Sequence, residues 1–381
     1  MARLDEIFDL QMGKTPSRNN ADYWTDGQYD WVSIADLGSY QKYVEDTKER
    51  ISALAVQESG IKSVPANTVI MSFKLSLGKT AITQEPVYTN EAIMAFIPTE
   101  KYAVLPDYFY YLFSAKDWTK GTNRAVMGTT LNKATLSAVS ITVPPIDEQR
   151  KIAAILYKVS DLIAKRRQQL DKLDEMVKAR FVEMFGDPVE NPMGWEKLAL
   201  GKRCDIVTGN TPSRAEPENY GNFIEWIKSD NINTPAVLLT EAQEYLSETG
   251  FHKCRFVEAG SLLMTCIAGS INCIGNVAVA DRRVAFNQQI NAIVPKQDDV
   301  LYLYWLMLLS KPAIHSTINM SLKGILSKGQ LSEMTFPFPP LELQNQFAVF
   351  VKKTEKTKAN ISRSLEKLET LKKALMQEYF G

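Results

Sequence analysis

Gly13-Lys14-Thr15-Pro16-Ser17-Arg18 returns as Gly209-Asn210-Thr211-Pro212-Ser213-Arg214, and that recurrence decides how the chain is read. Moving outward from the turn, Val143-Pro144-Pro145-Ile146 is matched by Phe338-Pro339-Pro340-Leu341. Lys172-Leu173-Asp174-Glu175 is matched by Lys367-Leu368-Glu369-Thr370, and Met184-Phe185-Gly186 by Tyr379-Phe380-Gly381. A repeat is sought before any single motif is interpreted, because it sets the plan of the molecule. This period, about 195 residues, is too long for a solenoid unit. It implies two copies of a whole domain plus its connector, a pseudo-two-fold internal repeat.

Composition restricts the class without naming a partner. The chain has 381 residues, 45% hydrophobic and 23% charged, as in an ordinary globular protein of two or three domains. Lys+Arg 44 balances Asp+Glu 44, so the total charge selects no partner, while a basic surface offset by acid elsewhere stays open. The most apolar run, Val300 to Leu309, is about half the roughly 20 residues a bilayer requires and reads as a buried helix. Met1-Ala2-Arg3-Leu4-Asp5-Glu6 lacks the apolar stretch of a signal peptide, so a cytoplasmic location and no membrane partner are expected. Cys204, Cys254, Cys266 and Cys273 all fall in the second copy. Their spacing, even with His252 beside them, fits no standard zinc site, and structural or incidental thiols are expected rather than a metal.

Each copy opens on an apolar segment that runs into the turn, Leu4 to Gly13 and Leu198 to Gly209. A tryptophan-led strand follows, Trp31 to Asp36 in one copy and Trp226 to Asn231 in the other. Thr68 to Ser72 then corresponds to Ser261 to Thr265, and Gly78 to Ile82 to Gly275 to Val279, as strands. Between them the copies part company: Lys74 to Leu77 is short, and Ile267 to Ile274 is longer and chemically different. A loop that varies on a repeated scaffold is where individual function sits. A strand (Asn90 to Pro98, Asn287 to Pro295) and an aromatic helix (Tyr108 to Phe113, Leu303 to Leu308) complete a mixed α and β domain, closed by a Pro-Pro step.

After each Pro-Pro step, Asp147 to Met184 and Glu342 to Tyr379 contain no Gly or Pro, which predicts roughly 57 Å of helix at 1.5 Å per residue. Ile152, Ile155, Val159, Leu162, Leu173 and Met176 recur at spacings of three and four. So do Phe347, Phe350, Ile361, Leu368, Leu371 and Leu375, as at the a and d positions of a coiled coil. Arg166 and Gln169 interrupt one seam; Thr354, Thr357 and Ser364 interrupt the other. The two frames coincide at the repeat offset, so each helix has the other as its natural partner, paired antiparallel. The expected fold class is α+β multidomain, with two mixed α/β domains joined by this helix pair. Its expected boundaries are 1–145, 146–187, 188–340 and 341–381.

Catalysis finds little support in the residues. His252 and His315 are unmatched in the first copy, and there is neither a Walker-type nor a dinucleotide-binding glycine pattern. Asn191-Pro192-Met193-Gly194 is a partial match to the Asn-Pro-Pro-aromatic motif of amino-methyltransferases, without the second proline or the aromatic. The chain reads as non-catalytic.

The ordered, duplicated landmarks resemble the DNA-specificity subunits of type I restriction–modification systems. Pro144-Pro145-Ile146-Asp147-Glu148-Gln149-Arg150-Lys151-Ile152-Ala153 fits that family's Pro-Pro-x-x-Glu-Gln-x-x-Ile-Ala pattern; the second copy departs at Leu343 and Phe347. Asn191-Pro192-Met193-Gly194-Trp195 is similar to the family's lead-in to a recognition domain. The resemblance implies two target-recognition domains held apart by an antiparallel helix pair, each reading half of a bipartite duplex DNA target. It also implies docking of two modification subunits, methyltransferases that bind S-adenosylmethionine, with room for a restriction/translocase subunit. No cofactor is expected in this chain. The rivals are a protein-binding assembly adaptor and a self-sufficient methyltransferase with degenerate motifs.

Candidate DNA contacts follow from residue chemistry. Thr15, Ser17, Arg18, Thr211, Ser213 and Arg214 offer hydroxyl and guanidinium groups suited to phosphates. Ser33, Asp36, Lys228 and Asn231 differ between copies on the tryptophan strand, and Lys74, Lys79, Ser270, Asn272 and Asn276 occupy or flank the divergent segment. Lys and Arg can read guanine and Asn adenine in the major groove, so differences here predict two unlike half-sites and an asymmetric target.

Overall fold

A computed structural model describes residues 1–74, 76–119, 123–125, 128–318 and 324–381, with backbone alone at 123–125 and 128–130. Leu75, inside the short divergent segment, lies outside the described residues. The chain divides into two compact units, Met1–Arg167 with Arg363–Gly381, and Gln168–Ser362. The division cuts through the two long helices, Ile146–Phe185 and Leu341–Phe380, each of 40 residues. Each unit thus contains one globular domain, the first half of its own helix, and the last half of the helix from the other copy.

In the first unit, β1 (Phe8–Met12), β2 (Tyr29–Val32), β3 (Val69–Ser72), β4 (Thr80–Ile82) and β5 (Ile93–Pro98) carry the scaffold. The main sheet has the order β1-β5-β3-β4 and is antiparallel, with Leu10 and Val69 both opposite Phe96. Phe8 and Leu10 point inward while Asp9 faces solvent, the period-two alternation of a half-buried strand. A helix at Pro106–Ala115 packs its aromatic face on this sheet, its proline at the first turn where no backbone donor is lost. Phe8 meets Phe109 edge-on, with ring centroids 5.0 Å apart. A smaller sheet places β2 between Glu49–Ile51, antiparallel, and Tyr88–Thr89, parallel.

The second unit repeats this plan. β6 (Cys204–Thr208), β7 (Tyr220–Ile227), β8 (Leu262–Thr265), β9 (Val277–Val279) and β10 (Ile290–Pro295) form a main sheet of order β6-β10-β8-β9, with β7 in the smaller one. Ile206 and Leu262 both face Ile293, the register of the first copy over again. The apolar run Val300–Leu309 is a helix buried from Leu301 through Met307. Its cap Asp299 accepts from the Leu301 amide at 2.7 Å. Among the described residues, no helix is long and apolar enough to cross a membrane.

The Pro-Pro motif earns its recurrence through its glutamine. Gln149 is fully buried in the first helical turn. Its amide donates to the carbonyls of Ala103 and Pro144, each at 2.9 Å, and its oxygen accepts from the Leu105 amide at 2.9 Å. Gln344 does the same in the second unit, donating to Pro339 O and Asp298 Oδ1 and accepting from the Asp299 amide. One side chain thereby ties the long helix to the start of the aromatic helix.

Within each unit the two helix halves run in opposite directions. In the second unit Asp174 pairs with Lys358 at 2.6 Å, whereas Phe181 and Phe185, further along, meet Phe347 edge-on. In the first unit Arg167 meets Glu369 at 2.6 Å, and Leu375, Met376, Tyr379 and Phe380 pack beside Ile152, Ala153 and Leu156. Asp174 and Glu369 are the same repeat position, so one acidic site holds a cation in both units. The buried stripe departs from the expected a and d frame. It runs Ile152, Leu156, Val159, Ile163 and then Val177, Phe181, Phe185. Leu162, Met176 and Leu371 are exposed. Apolar residues on adjacent positions left two frames open, and the domain surface selects the one that covers it. Thr354 is buried in the seam, its hydroxyl returned to Phe350 O at 3.0 Å, and so does not break it.

Candidate nucleic-acid interface

The repeated turn is built around a glycine that admits no side chain. Gly13 donates to Ile93 O, and Lys14 donates to Thr89 O at 2.8 Å; Gly209 and Asn210 donate likewise to Ile290 O and Phe286 O. A Cβ at Gly13 would stand 2.2 Å from Thr89 O, and one at Gly209 2.2 Å from Asn287 O. The buried tryptophans complete the anchor: Trp31 Nε1 donates to Lys14 O at 3.1 Å and Trp226 Nε1 to Asn210 O at 3.4 Å. Pro16 and Pro212 are buried beneath the turn, while Ser17, Arg18, Ser213 and Arg214 are exposed.

Both arginines lie over aromatic rings and meet a glutamate, Glu49 at the start of the neighbouring strand and Glu244 just before the strand Tyr245–Leu246. Arg18 sits 3.8 Å from the Trp24 ring centroid, and its Nη2 donates to Glu49 Oε2 at 2.9 Å. Arg214 sits 4.7 Å from Tyr220 and donates to Glu244 at 2.8 Å. The Arg18 hydrogen bond holds the Glu49 carboxyl below the usual carboxylate range. Glu244 is held down first by its hydrogen bond from Lys228 and then by that from Arg214. Exposed pairs of this kind contribute little stability, so the guanidinium can exchange its carboxylate for a phosphate at small cost. Glu49 and Glu244 carry no local motif. Their signal is their equivalent place in the repeat, at the start of, or just before, a strand that pairs with the tryptophan strand.

Several expected contacts are occupied within the chain. The Thr15 hydroxyl donates to Glu91 and accepts from Asn90, and Thr211 donates to Gln288. Ser33 and Asp36 are not on the tryptophan strand, which ends at Val32. They form a reciprocal capping box on the helix Ile34–Ser39, with Asp36 2% exposed and Ser33 Oγ 2.7 Å from its carboxylate. Asn231 is likewise buried, accepting from the Lys228 amide at 3.0 Å and donating to Glu241 O at 2.9 Å. For these three, helix-start chemistry replaces the expected role, because a base would have to displace their bonds. Lys228 is paired with Glu244.

The divergent segment is more open. Lys79 is exposed and lies over Gly38, and Lys74 lies 5.2 Å from the Phe73 ring centroid. In the second copy a short strand, Ile267–Ala268, pairs with Gly324–Ile325, followed by a tight helical turn at Ile271–Cys273. Ser270 and Asn272 are exposed there, and their side chains make no hydrogen bond among the described residues. Asn276 is bonded to Asn233 and Lys311.

Asn191 resolves the faint methyltransferase motif. Its amide is closed onto Trp195, donating to the carbonyl at 2.8 Å and accepting from the backbone N–H at 3.1 Å. Trp195 Nε1 in turn caps Phe185 O at 3.0 Å, so the segment terminates the long helix. Cys204 and Cys266 are buried and their thiols are pushed up to about 12 by burial.

Known proteins agree with this geometry. The family of the type I restriction modification DNA specificity domain matches residues 1–174 and 192–370. The MjaIX specificity subunit of Methanocaldococcus jannaschii is 30% identical over 232 residues, covering 56% of this chain and 53% of that protein. The EcoR124I/EcoR124II specificity subunit of Escherichia coli is 30% identical over 168 residues, 42% of this chain and 40% of that protein. The chain thus spans about half, or less, of the length of these two relatives. The MjaVIII specificity subunit, also of Methanocaldococcus jannaschii, is 22% identical and covers 99% of this chain and 90% of that protein. Among solved structures, a chain from a study of complex assembly and conformational transition of the type I R-M system shares the fold. It has a TM-score of 0.63 at 17% identity, covering 100% of this chain and 96% of that one. The type I S subunit of M. genitalium has a TM-score of 0.58 at 14% identity, covering 100% and 95%. With the matched domain present twice, on the same two-copy plan as the turn, sheet and helix, the chain belongs to the type I restriction–modification DNA specificity family.

Proposed function

We propose that this chain is the DNA-reading subunit of a type I restriction–modification complex and recognises a split, asymmetric duplex target. The observation that carries the reading is the turn rebuilt in both units, with its arginine over aromatic rings, on a repeated scaffold whose loops differ in length and chemistry. A common turn suits the phosphate backbone, which is alike at both half-sites. Unlike loops suit base edges, which are not. Two modest recognition terms joined in one chain add to high specificity.

The two long helices pair as an antiparallel coiled coil that sets the distance between half-sites. The opposed helix halves and the ion pairs Arg167–Glu369 and Asp174–Lys358 support that pairing. Two methyltransferase subunits dock on the assembly and bring S-adenosylmethionine, and a restriction/translocase subunit can join them. This chain itself does no chemistry; it places the methyltransferases on DNA in the cytoplasm. Co-expression with a type I methyltransferase subunit, followed by genome-wide mapping of methylated bases, tests the reading. One split motif with unlike halves is expected; methylation with no split motif would sink it.

A further inference from the structure

Resting on that reading, we propose that Lys311 is a positioning residue for target recognition, holding loop 267–276 in the conformation that presents Ser270 and Asn272 to the second half-site. Lys311 opens the short helix Lys311–Ser316, against which the loop folds. Its ammonium donates to the Asn272 carbonyl at 2.6 Å and to the Asn276 side-chain oxygen. Asn276 passes the tie on, donating to Asn233 at 2.7 Å. One turn further along the helix, His315 Nε2 lies 2.8 Å from Ile274 O. The lysine stem covers Gly275, whose φ of +80° bends the loop back, with Cγ 3.4 Å from where a Cβ would stand. Lysine and histidine together thus engage Asn272, Ile274, Gly275 and Asn276.

The charge at Lys311 is not spent on an acid. Its hydrogen-bond partners among the described residues are the amide oxygens of Asn272 and Asn276, not a carboxylate, and burial lowers its pKa. An ammonium held this way depends on carbonyl oxygens, and those oxygens belong to the loop. The first copy holds its equivalent bend by other means. Gly78 also has φ of +80°, but the indole of Trp118 covers it, and that indole donates to Phe113 O at 2.8 Å. At the bend itself, the first copy has an apolar plate over its glycine and the second a lysine. The two readers therefore differ at the bend as well as in the loops themselves.

The test uses the full chain in complex with its methyltransferase partner and maps the methylated motif for wild type, Lys311→Met and Lys311→Arg. The second half-site is the one that changes when residues 188–340 are exchanged. Lys311→Met keeps the stem and loses the ammonium. It is expected to relax discrimination at the second half-site by roughly tenfold or more, with the first half-site unchanged. Lys311→Arg, which keeps the donors, is expected to restore much of the preference. Wild-type preference at both half-sites in Lys311→Met overturns the proposal, as does equal loss at both. If Lys311→Met melts well below wild type, Asn276→Leu removes the side-chain acceptor from the loop side and carries the same two outcomes. A wild-type complex that methylates no split motif defeats the functional reading first, and this proposal with it.

Discussion

Phe380 packs edge-on against Tyr108, with ring centroids 5.5 Å apart, although the two residues belong to different copies of the repeat. The repeat-equivalent Phe185 does the same on Tyr302 at 5.0 Å. Each copy's aromatic helix is therefore closed by the end of the other copy's long helix. Phe185 is 1% exposed, and truncation to alanine is expected to cost about 3–5 kcal/mol in a urea melt. Hydrogen exchange should rise in Val300–Leu309 and not in Pro106–Ala115. Faster exchange in the latter would contradict the packing.

Gln149 and Gln344 each satisfy three backbone or side-chain groups at the start of a long helix. Replacing either with leucine keeps much of the volume and strands buried donors and acceptors. Each substitution is expected to lower stability by about 1–3 kcal/mol per group left unpaired, with partial relaxation reducing the sum. Loss below about 0.5 kcal/mol in chemical denaturation would show that the amide is not the latch.

Acid should weaken both turns through the same carboxylates. Glu49 and Glu244 are lowered in the folded chain from their ordinary value of 4.5. A lowered carboxylate contributes fully above that value, and its contribution fades as pH falls through the folded pKa. Stability followed from pH 6 downward should therefore fall less steeply below about pH 4.5 in Glu49→Gln and Glu244→Gln than in wild type. Identical slopes would show that the ion pairs carry no linkage.

Arg214→Gln is expected to weaken DNA binding nearly equally on target and non-target duplexes. The slope of log K against log salt should shrink by about 0.9, the signature of one lost phosphate contact. A selective loss on target DNA alone would assign Arg214 to base readout.

The repeat was legible because Gly, Pro and Trp mark positions where backbone geometry is demanding. Gly13 and Gly209 recur because two backbone carbonyls leave no room for a Cβ. The long helices were legible from a stretch without Gly or Pro that carries an apolar period at spacings of three and four. Their buried face was not, because Leu162 and Ile163 are both apolar and only tertiary contact chooses between them. Ser33 and Asp36 follow the tryptophan strand directly in sequence, yet Ser-x-x-Asp is itself a helix-start pattern, and the chain uses it as one. Glu49 and Glu244 were out of reach of local reasoning, since their arginines arrive from about 30 residues away.

The central claim is that each globular domain reads its own half of a split target. Its most direct measurement is the methylated motif, mapped genome-wide, of a complex in which residues 1–145 are exchanged for those of a family member with a different target. One half of the motif is expected to change while the other half and the spacing stay as they were. A motif left whole, or one changed in both halves, would contradict that claim.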